Sequence, residues 1–584
     1  MKIITSPESI YIGLFLASLP LLYYFLKPSK KKTIVCVPVE FTDEELIKQG
    51  FTAKRVPDHI DVVVIGSGIG GLTVASVLAQ EGKKVLVLEQ HDVAGGNLHT
   101  FEEKGYEFDT GLHYIGGNLD DKKRPSRKIF DYLSNDGIEW QRLGDIVDLL
   151  VAEGPNQARD NIAIESSQRA LCDALKKRFP DEHGAIDSFF KIAKEANGTF
   201  QFIFGLQFVP QWLRGAYRWW FSKRLRYLKT TTTEVLDKLT TNQALKGIMS
   251  YAWGDFGEPP SRSTFMLTAA LINHYRGGAY YPIGGPSVIA KKLTRVIESY
   301  GGKVLVRAPV SSLLVSPDGA AMGVVVKDVE VYAPIVVSAV GAPTTYKKLI
   351  PEPHRFRVQH YVNEFDSTSQ LQSQCSLMSL FIGFEGSDIE LPQYNVWKYP
   401  SWNHDANFAA NQNGPDAPFC AVFMSFPSAK DPTYAARHPN RHVAIVIGSC
   451  FYKDVEAYKD GRVKHRGAEY EALKAKWQER LLGEFLKEFP SINKSSIKFT
   501  ELGTALTNDY YLGNYKGAIY GLGHTPERFQ SDIGSPRTPI KNLYLSGQDV
   551  MSCGIVGAMF GGLTTAAVIS PSFFKRLGGL MRPS

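Results

Sequence analysis

Gly66, Gly68 and Gly71 stand in the spacing G-x-G-x-x-G inside the run DVVVIGSGIGG, and Glu89 follows 18 residues after the third glycine. Residues of these types at this spacing bind a dinucleotide. The first glycine permits a tight turn, the second lets the backbone approach a pyrophosphate, and the third lets a helix pack closely on a strand. The helix start then faces the phosphates, and the acid can accept hydrogen bonds from the adenosine ribose hydroxyls. Ser67 and Gly70 complete the turn, and Gln90 stands beside the acid. Glu89 also disfavours a ribose 2′-phosphate at this site, so NADP is not its expected occupant.

These residues need a strand, a turn and a helix to hold them. Asp61-Val-Val-Val-Ile65 reads as a buried strand, Leu72 to Gln80 continues as a helix, and Lys84 to Leu88 reads as a second strand ending at Glu89. The chain returns to this arrangement near its end. Ile540 to Leu545 reads as a strand, followed by Ser546-Gly547-Gln548-Asp549 and by Cys553-Gly554-Ile-Val-Gly557, which opens an apolar helix reaching about Ile569. A plain NAD domain has no need of that return, whereas FAD needs a second segment to hold its flavin end. Asp549 is placed to accept a hydrogen bond from a ribityl hydroxyl. The helix opening near Gly557 points its positive end at the flavin pyrimidine, where charge accumulates on reduction. Between the halves, residues 302–337 (KVLVRAPV, GVVVK, APIVVSAVG) read as short β segments that complete the nucleotide domain, with Val310 beside the cofactor. The second glycine pair, Gly95-Gly96, and the following Asn97 are further cofactor candidates.

The expected fold class is α/β: an FAD-binding Rossmann-like domain of the two-dinucleotide-binding flavoprotein type, with an interleaved α+β substrate domain. The expected division is a membrane anchor or signal at 1–33 and a linker at 34–58. Nucleotide-domain parts follow at 59–150, 276–345 and 531–570, with a substrate and membrane-binding region at 151–275, a substrate domain at 346–530 and a basic tail at 571–584.

Composition agrees with a globular chain of more than one domain: 584 residues, 44% hydrophobic and 21% charged. Six widely spaced cysteines without a CxxC pair exclude a disulfide scaffold or zinc ribbon. The net charge of +7 sits at the ends, with +4 in residues 1–32 and +3 in residues 571–584, so the body between is neutral. A neutral body argues against nucleic acid as a partner, because phosphate binding needs a basic face on the folded domain. Ile10 to Leu26 is free of charge and followed by lysines; it reads as an uncleaved membrane anchor, with a cleaved signal as the alternative. Residues 200–228 interleave Trp212, Trp219 and Trp220 with Arg214, Arg218, Lys223, Arg224 and Arg226. That pattern suits a lipid headgroup region; an aromatic helix packed in the core is the alternative.

The run from Asp61 through DTGLHYIGG, together with LINHYRGGAYYPIGGPSVIA, FMSFPSAKDPTYAARHPNR, LTNDYYLGNYKGAIYG and LYLSGQDVMSCGIVGAMFGG, resembles the retinol saturases (all-trans-retinol 13,14-reductases). The phytoene desaturases and carotenoid isomerases are more distantly similar. The likeness covers nearly the whole chain after residue 40. Mammalian saturases carry a Cys pair where this chain has Asn97-Leu98. The resemblance implies an FAD enzyme of retinol and lipid metabolism that saturates the 13,14 double bond of all-trans-retinol to all-trans-13,14-dihydroretinol. NAD or NADP would serve as electron source, membrane lipid as a partner, and the endoplasmic reticulum membrane as the location. A carotenoid isomerase or desaturase acting on another polyene is the alternative within the family. A lipid escort of the same fold, binding no cofactor, is the alternative outside it, and the retained glycines, Glu89 and Asp549 weigh against it.

Saturation needs a hydride and a proton. The candidate proton donors are His113 and Tyr114, His274 and Tyr275, Tyr281, and Tyr511. No GxSxG, no HExxH and no metal-ligand spacing occurs among the 13 histidines, so hydrolase and metalloenzyme chemistry have no support.

Overall fold

The computed structural model describes residues 36–153 and 159–582. The apolar stretch 10–26, on which the anchor expectation rests, lies outside the described residues. A five-stranded parallel sheet holds the nucleotide motif, in the order Leu543–Leu545, Ile335–Ser338, Val62–Ile65, Val85–Leu88, Lys303–Leu305. Val62 pairs with Ile335 on one side and Val85 on the other, and Val336 pairs with Leu543. One sheet therefore draws strands from three distant parts of the chain. The residues before the motif dock on its edge. A capping box between Thr42 and Glu45 starts the single helical turn Asp43–Leu46, Asp43 pairs with Lys292 and Arg295, and Gly50 bridges to Val306.

The helix Ile69–Gln80 is buried along its whole length. Small residues make this possible, because backbone meets backbone on several sides. A Cβ added to Gly71 would collide with the Gly66 carbonyl oxygen, one on Gly70 with the Gly547 Cα, and one on Gly561 with the Gly547 carbonyl. The helix Gly554–Ile569 thus seats directly on the motif helix. Buried polar groups on the motif helix find partners: Ser76 Oγ donates to the Leu133 carbonyl (3.0 Å) and Gln80 Nε2 to the Tyr132 carbonyl (3.1 Å).

A second layer is a seven-stranded mixed sheet in the order Ile497–Gly503, Ser376–Glu385, Arg441–Cys450, Val422–Ser425, Asn395–Tyr399, Ile146–Glu153, Arg159–Glu165. The period of two divides its side chains. Met378, Leu380, Val396, Met424 and Val446 pack against Trp477, Leu481 and Phe485 of the helix Ala468–Glu488. Their strand neighbours Leu377, Trp397, Phe423 and Ile447 face a cavity on the other side. Helices Phe200–Leu206 and Phe265–His274 contribute to the opposite wall.

The aromatic-basic segment divides between the two roles weighed for it. Phe200, Phe202 and Phe204 pack against the core, while Trp212, Trp219 and Trp220 are 80%, 75% and 44% exposed. Its basic residues are largely committed within the protein. Arg214 and Arg218 both pair with Asp532, and Arg226 pairs with Glu195. The expected location at the endoplasmic reticulum membrane is corrected: among the described residues no helix is long and apolar enough to cross a membrane.

The glycine contacts generate a test of the fold. Gly71→Ala is expected to cost more than about 3 kcal/mol, because the methyl has only backbone to displace. Gly68→Ala, whose added carbon meets nothing within 4 Å, is expected to change stability by less than about 1 kcal/mol. Thermal unfolding of the two variants compares them directly.

Candidate active site

Gly66 adopts φ +93°, a backbone conformation that side chains rarely tolerate. Gly68 then caps the helix Ile69–Gln80 without any side chain bonding its first turn. The first N–H groups of that helix face the open space in front of Gly68. Glu89 holds the turn in place. Its Oε2 accepts from the Ser67 N–H (2.9 Å) and hydroxyl (2.6 Å), and its Oε1 accepts from the His91 N–H (2.9 Å). Ser67 Oγ accepts in turn from the Gly95 N–H (2.9 Å), and Gly96 lies against Gly68. Gln90 donates to the carbonyls of Tyr510 and Tyr511, which draws the helix Ala505–Leu512 to the same edge. Val310 begins the strand Val310–Val315, two residues beyond Ala308, whose N–H donates to the Glu89 carbonyl (2.7 Å).

In the returning segment, Gly547 touches Gly70. Asp549 is buried, and its two oxygens accept from the N–H groups of Leu522 (2.9 Å) and Ala342 (2.7 Å). It ties three chain segments together. The helix expected to open near Gly557 begins at Gly554, with Cys553 as its N-cap and no side chain bonding its first turn. Ser552, Cys553, Gly554 and Gly557 all border the cavity. Two helix starts with free N–H groups, one before an open glycine turn and one at a cavity, fit a dinucleotide whose second half is a ring.

The cavity measures about 1120 Å³. Trp253, Phe256, Trp397, Phe423 and Leu271 supply much of its apolar lining, and Asn97 stands at its nucleotide end. Of the residues expected to donate a proton, His113, Tyr114, His274 and Tyr275 line it. Burial pushes His113 down to about 3 and His274 down to about 4, so both rings are neutral. His274 Nε2 accepts from the Gly116 N–H (2.8 Å), which leaves the ring proton on Nδ1. Tyr281 does not reach the cavity; it is fully buried, with its hydroxyl between both oxygens of Asp109 (2.8 and 2.7 Å). Tyr511 packs at a tilt against His91 at the nucleotide edge (5.0 Å between centroids) and does not line the cavity.

Behind the His113 wall lies a buried polar chain that residue spacing does not announce. Lys430 is fully buried and donates to the His113 carbonyl (2.8 Å), Ser425 Oγ (2.7 Å) and Asn395 Oδ1. Three acceptors match its three donors. Asn395 Nδ2 donates to Asp148 (3.1 Å), which also accepts from the Tyr251 hydroxyl (3.0 Å). Burial pulls Lys430 down to about 7 against the opposing pull of Asp109 and Asp148, and it pushes Asp148 up to about 6. The available signal was a charged residue inside an apolar strand run, IVDLLVA, and the lysine of FPSAKDP.

A sequence model of the NAD(P)-binding Rossmann-like domain matches residues 64–133. The all-trans-retinol 13,14-reductase of Danio rerio is 39% identical over 543 residues, covering 90% of this chain and 88% of that one. The chain belongs to the all-trans-retinol 13,14-reductase family. A second Danio rerio member, 35% identical over 90% of this chain and 88% of its own, bears the name inactive all-trans-retinol 13,14-reductase. Outside the reductases, the chloroplastic prolycopene isomerase of Daucus carota is 25% identical over 94% of this chain and 86% of its own. Cyclohexylamine oxidase from Brevibacterium oxydans superposes with a TM-score of 0.54 at 14% identity, covering 90% of this chain and all of that one. The reductase-family chain therefore has the expected flavoprotein-type α/β fold.

Tyr281→Phe provides a test of the buried pair. The variant is expected to lose about 1–3 kcal/mol of stability, because the Asp109 carboxyl loses its hydrogen-bond donor. Since Tyr281 does not border the cavity, ligand affinity measured by fluorescence quenching should stay unchanged.

Proposed function

We propose that the chain is an FAD-dependent oxidoreductase that saturates the 13,14 double bond of all-trans-retinol. The observation that carries the reading is the aromatic cavity of about 1120 Å³ bordering the open N-terminus of the helix Gly554–Ile569. Pockets for one small ligand run to roughly 300–1,000 Å³, so this one has room for a flavin ring and a polyene together. FAD is supported by the open turn at Gly68 and the second helix start. Reduced FAD, when bound, supplies a hydride from N5. The residues of the chain do the rest. Trp397, Phe423 and Trp253 offer flat faces to a conjugated chain, exclude water and fix which bond lies against the hydride donor. The N–H groups from Gly554 onward favour negative charge developing at the ring edge. An isomerase reading draws on more distant relatives, and an escort would leave the open nucleotide cradle without a purpose.

The protein is expected to be yellow and to convert all-trans-retinol, under anaerobic reduction by NADH, NADPH or dithionite, to a product two hydrogens heavier, read by mass spectrometry. Gly68→Val should remain folded but colourless, without product, because its side chain fills the open space before the helix. Retinol returned unchanged by flavin-loaded protein would overturn the reading and place the chain beside the relative named inactive.

A lipid surface is the proposed source of the polyene. Support comes from the exposed Trp212, Trp219 and Trp220, which neighbour the helix Phe200–Leu206 at the cavity wall, where Phe208 packs on Phe574 (4.6 Å between centroids). Because the arginines there are mostly paired, ring burial rather than charge should dominate attachment. In protein lacking residues 1–33, replacing the three tryptophans with Ser is expected to abolish vesicle sedimentation, and vesicles of neutral lipid should bind the truncated protein with its tryptophans intact nearly as well as anionic ones.

A further inference from the structure

The short segment Trp-Gly-Asp-Phe-Gly carries one acid, Asp255, at the end of the 3₁₀ turn Tyr251–Asp255. Among the described residues it is the sole carboxyl bordering the cavity. The Cys553 thiol donates to its backbone carbonyl (3.5 Å), which fixes the segment beside the N-cap of the helix Gly554–Ile569. The Tyr114 hydroxyl stands 3.3 Å from Asp255 Oδ2. Tyr114 is itself immobilised: its ring stacks on Tyr275 (4.6 Å between centroids, 7° between planes), and the Lys430 amine sits 5.6 Å from the ring centre.

We propose that Asp255 is the acid that protonates the polyene, with Tyr114 and Asp148 as residues that position it and set its proton affinity. The inference rests on the reductase reading above. Asp255 forms no ion pair among the described residues, unlike the partly buried Asp532, which meets two arginines. Burial, then the nearby charge of Asp148, push Asp255 up to about 8, against the pull of the Tyr114 hydrogen bond. It therefore carries a proton into an apolar cavity at neutral pH. The other groups facing it give up a proton far less readily at neutral pH. The phenols of Tyr114, Tyr251, Tyr275 and Tyr520 are all raised well above 10 by burial, and the Cys553 thiol is pushed up to about 12. His113 and His274 are neutral, as described.

In that step the π bond of the target C=C would break, and one carbon would take the hydride that reduced FAD, when bound, would supply as it gives up two electrons. The other carbon takes the Asp255 proton on the electron pair left by the π bond. Asp255 ends as a carboxylate bonded by the Tyr114 hydroxyl, and regains its proton from water when product leaves. The Tyr114 hydroxyl also bonds Asp148, so the two acids share one donor and resist carrying charge together.

The test uses flavin-loaded protein, reduced anaerobically and mixed with all-trans-retinol in single turnovers. The wild-type rate should fall as pH rises through about 8, the range in which Asp255 loses its proton. Asp255→Asn should bind FAD normally yet react about 10²–10⁴-fold more slowly, without that alkaline fall. In D₂O the wild type should place deuterium on a single face of one carbon, and Asp255→Asn, protonated by water, on both faces. The infrared difference between wild type and Asp255→Asn, without substrate, should contain a carboxylic acid component that titrates near pH 8, separate from the Asp109 band that both proteins keep. Asp148→Asn removes a charge that raises Asp255, so its alkaline fall should move to lower pH; this variant decides the matter if Asp255→Asn does not fold. An active wild type whose Asp255→Asn form keeps rate, pH profile and stereochemistry overturns the inference alone, as does an unmoved profile in Asp148→Asn. A flavin-loaded wild type that leaves retinol intact overturns the reductase reading and the inference with it.

Discussion

Three stretches of backbone meet at Gly70, Gly547 and Gly561 with no space for a single carbon between them. That contact is what the remainder of the molecule depends on. It brings the helix after the glycine turn against the helix that opens at the cavity, so the two open helix starts are held at a fixed separation by main chain alone. Main-chain contact is stiffer than side-chain contact, since no rotamer can absorb an error. A cofactor reaching from one helix start to the other needs that rigidity, because its reactive ring must meet the substrate at a set distance.

The nucleotide half of the protein was legible because its constraints are local. A tight turn, a close approach and a buried helix each demand glycine at one position, and Gly66, Gly68 and Gly71 meet those demands within six residues. The strand runs around them are buried on both faces and accordingly read as unbroken apolar stretches. The cavity was less legible, because what a tyrosine or histidine does there depends on where long-range packing sends it. His113 and Tyr281 look alike as candidates: each sits near glycines in an aromatic run. Packing turns one toward the cavity and the other toward Asp109. Asp255 was missed for the same reason, since nothing within WGDFG says that a distant Tyr114 will meet it. The arginines between the exposed tryptophans looked like a basic face, and their pairing with Asp532, over 300 positions away, is equally invisible in the local run.

The buried charges follow a consistent logic. Where an acid meets two guanidinium groups, as Asp532 does, it is held ionised. Where it meets only hydroxyls in an apolar wall, as Asp255 and Asp109 do, it keeps its proton. Lys430 lies between these cases, with three neutral acceptors and two acids at longer range. Removing any one partner would strand the rest without water, which makes this group of residues interdependent in a way that single contacts on the surface are not.

The sheet order has a consequence for the making of the protein. The central strands Val62–Ile65 and Ile335–Ser338 are synthesised hundreds of residues apart, and the strand Leu543–Leu545 and its helix come later still. On the ribosome, the glycine turn must wait until that later segment emerges for the partner that covers it. A message cut short before that point yields a polypeptide with an uncovered apolar helix and no nucleotide cradle, hence no partly working fragment. Cofactor uptake is in this sense a report on completed synthesis, and cells starved of the cofactor should accumulate an opened chain that proteases can recognise.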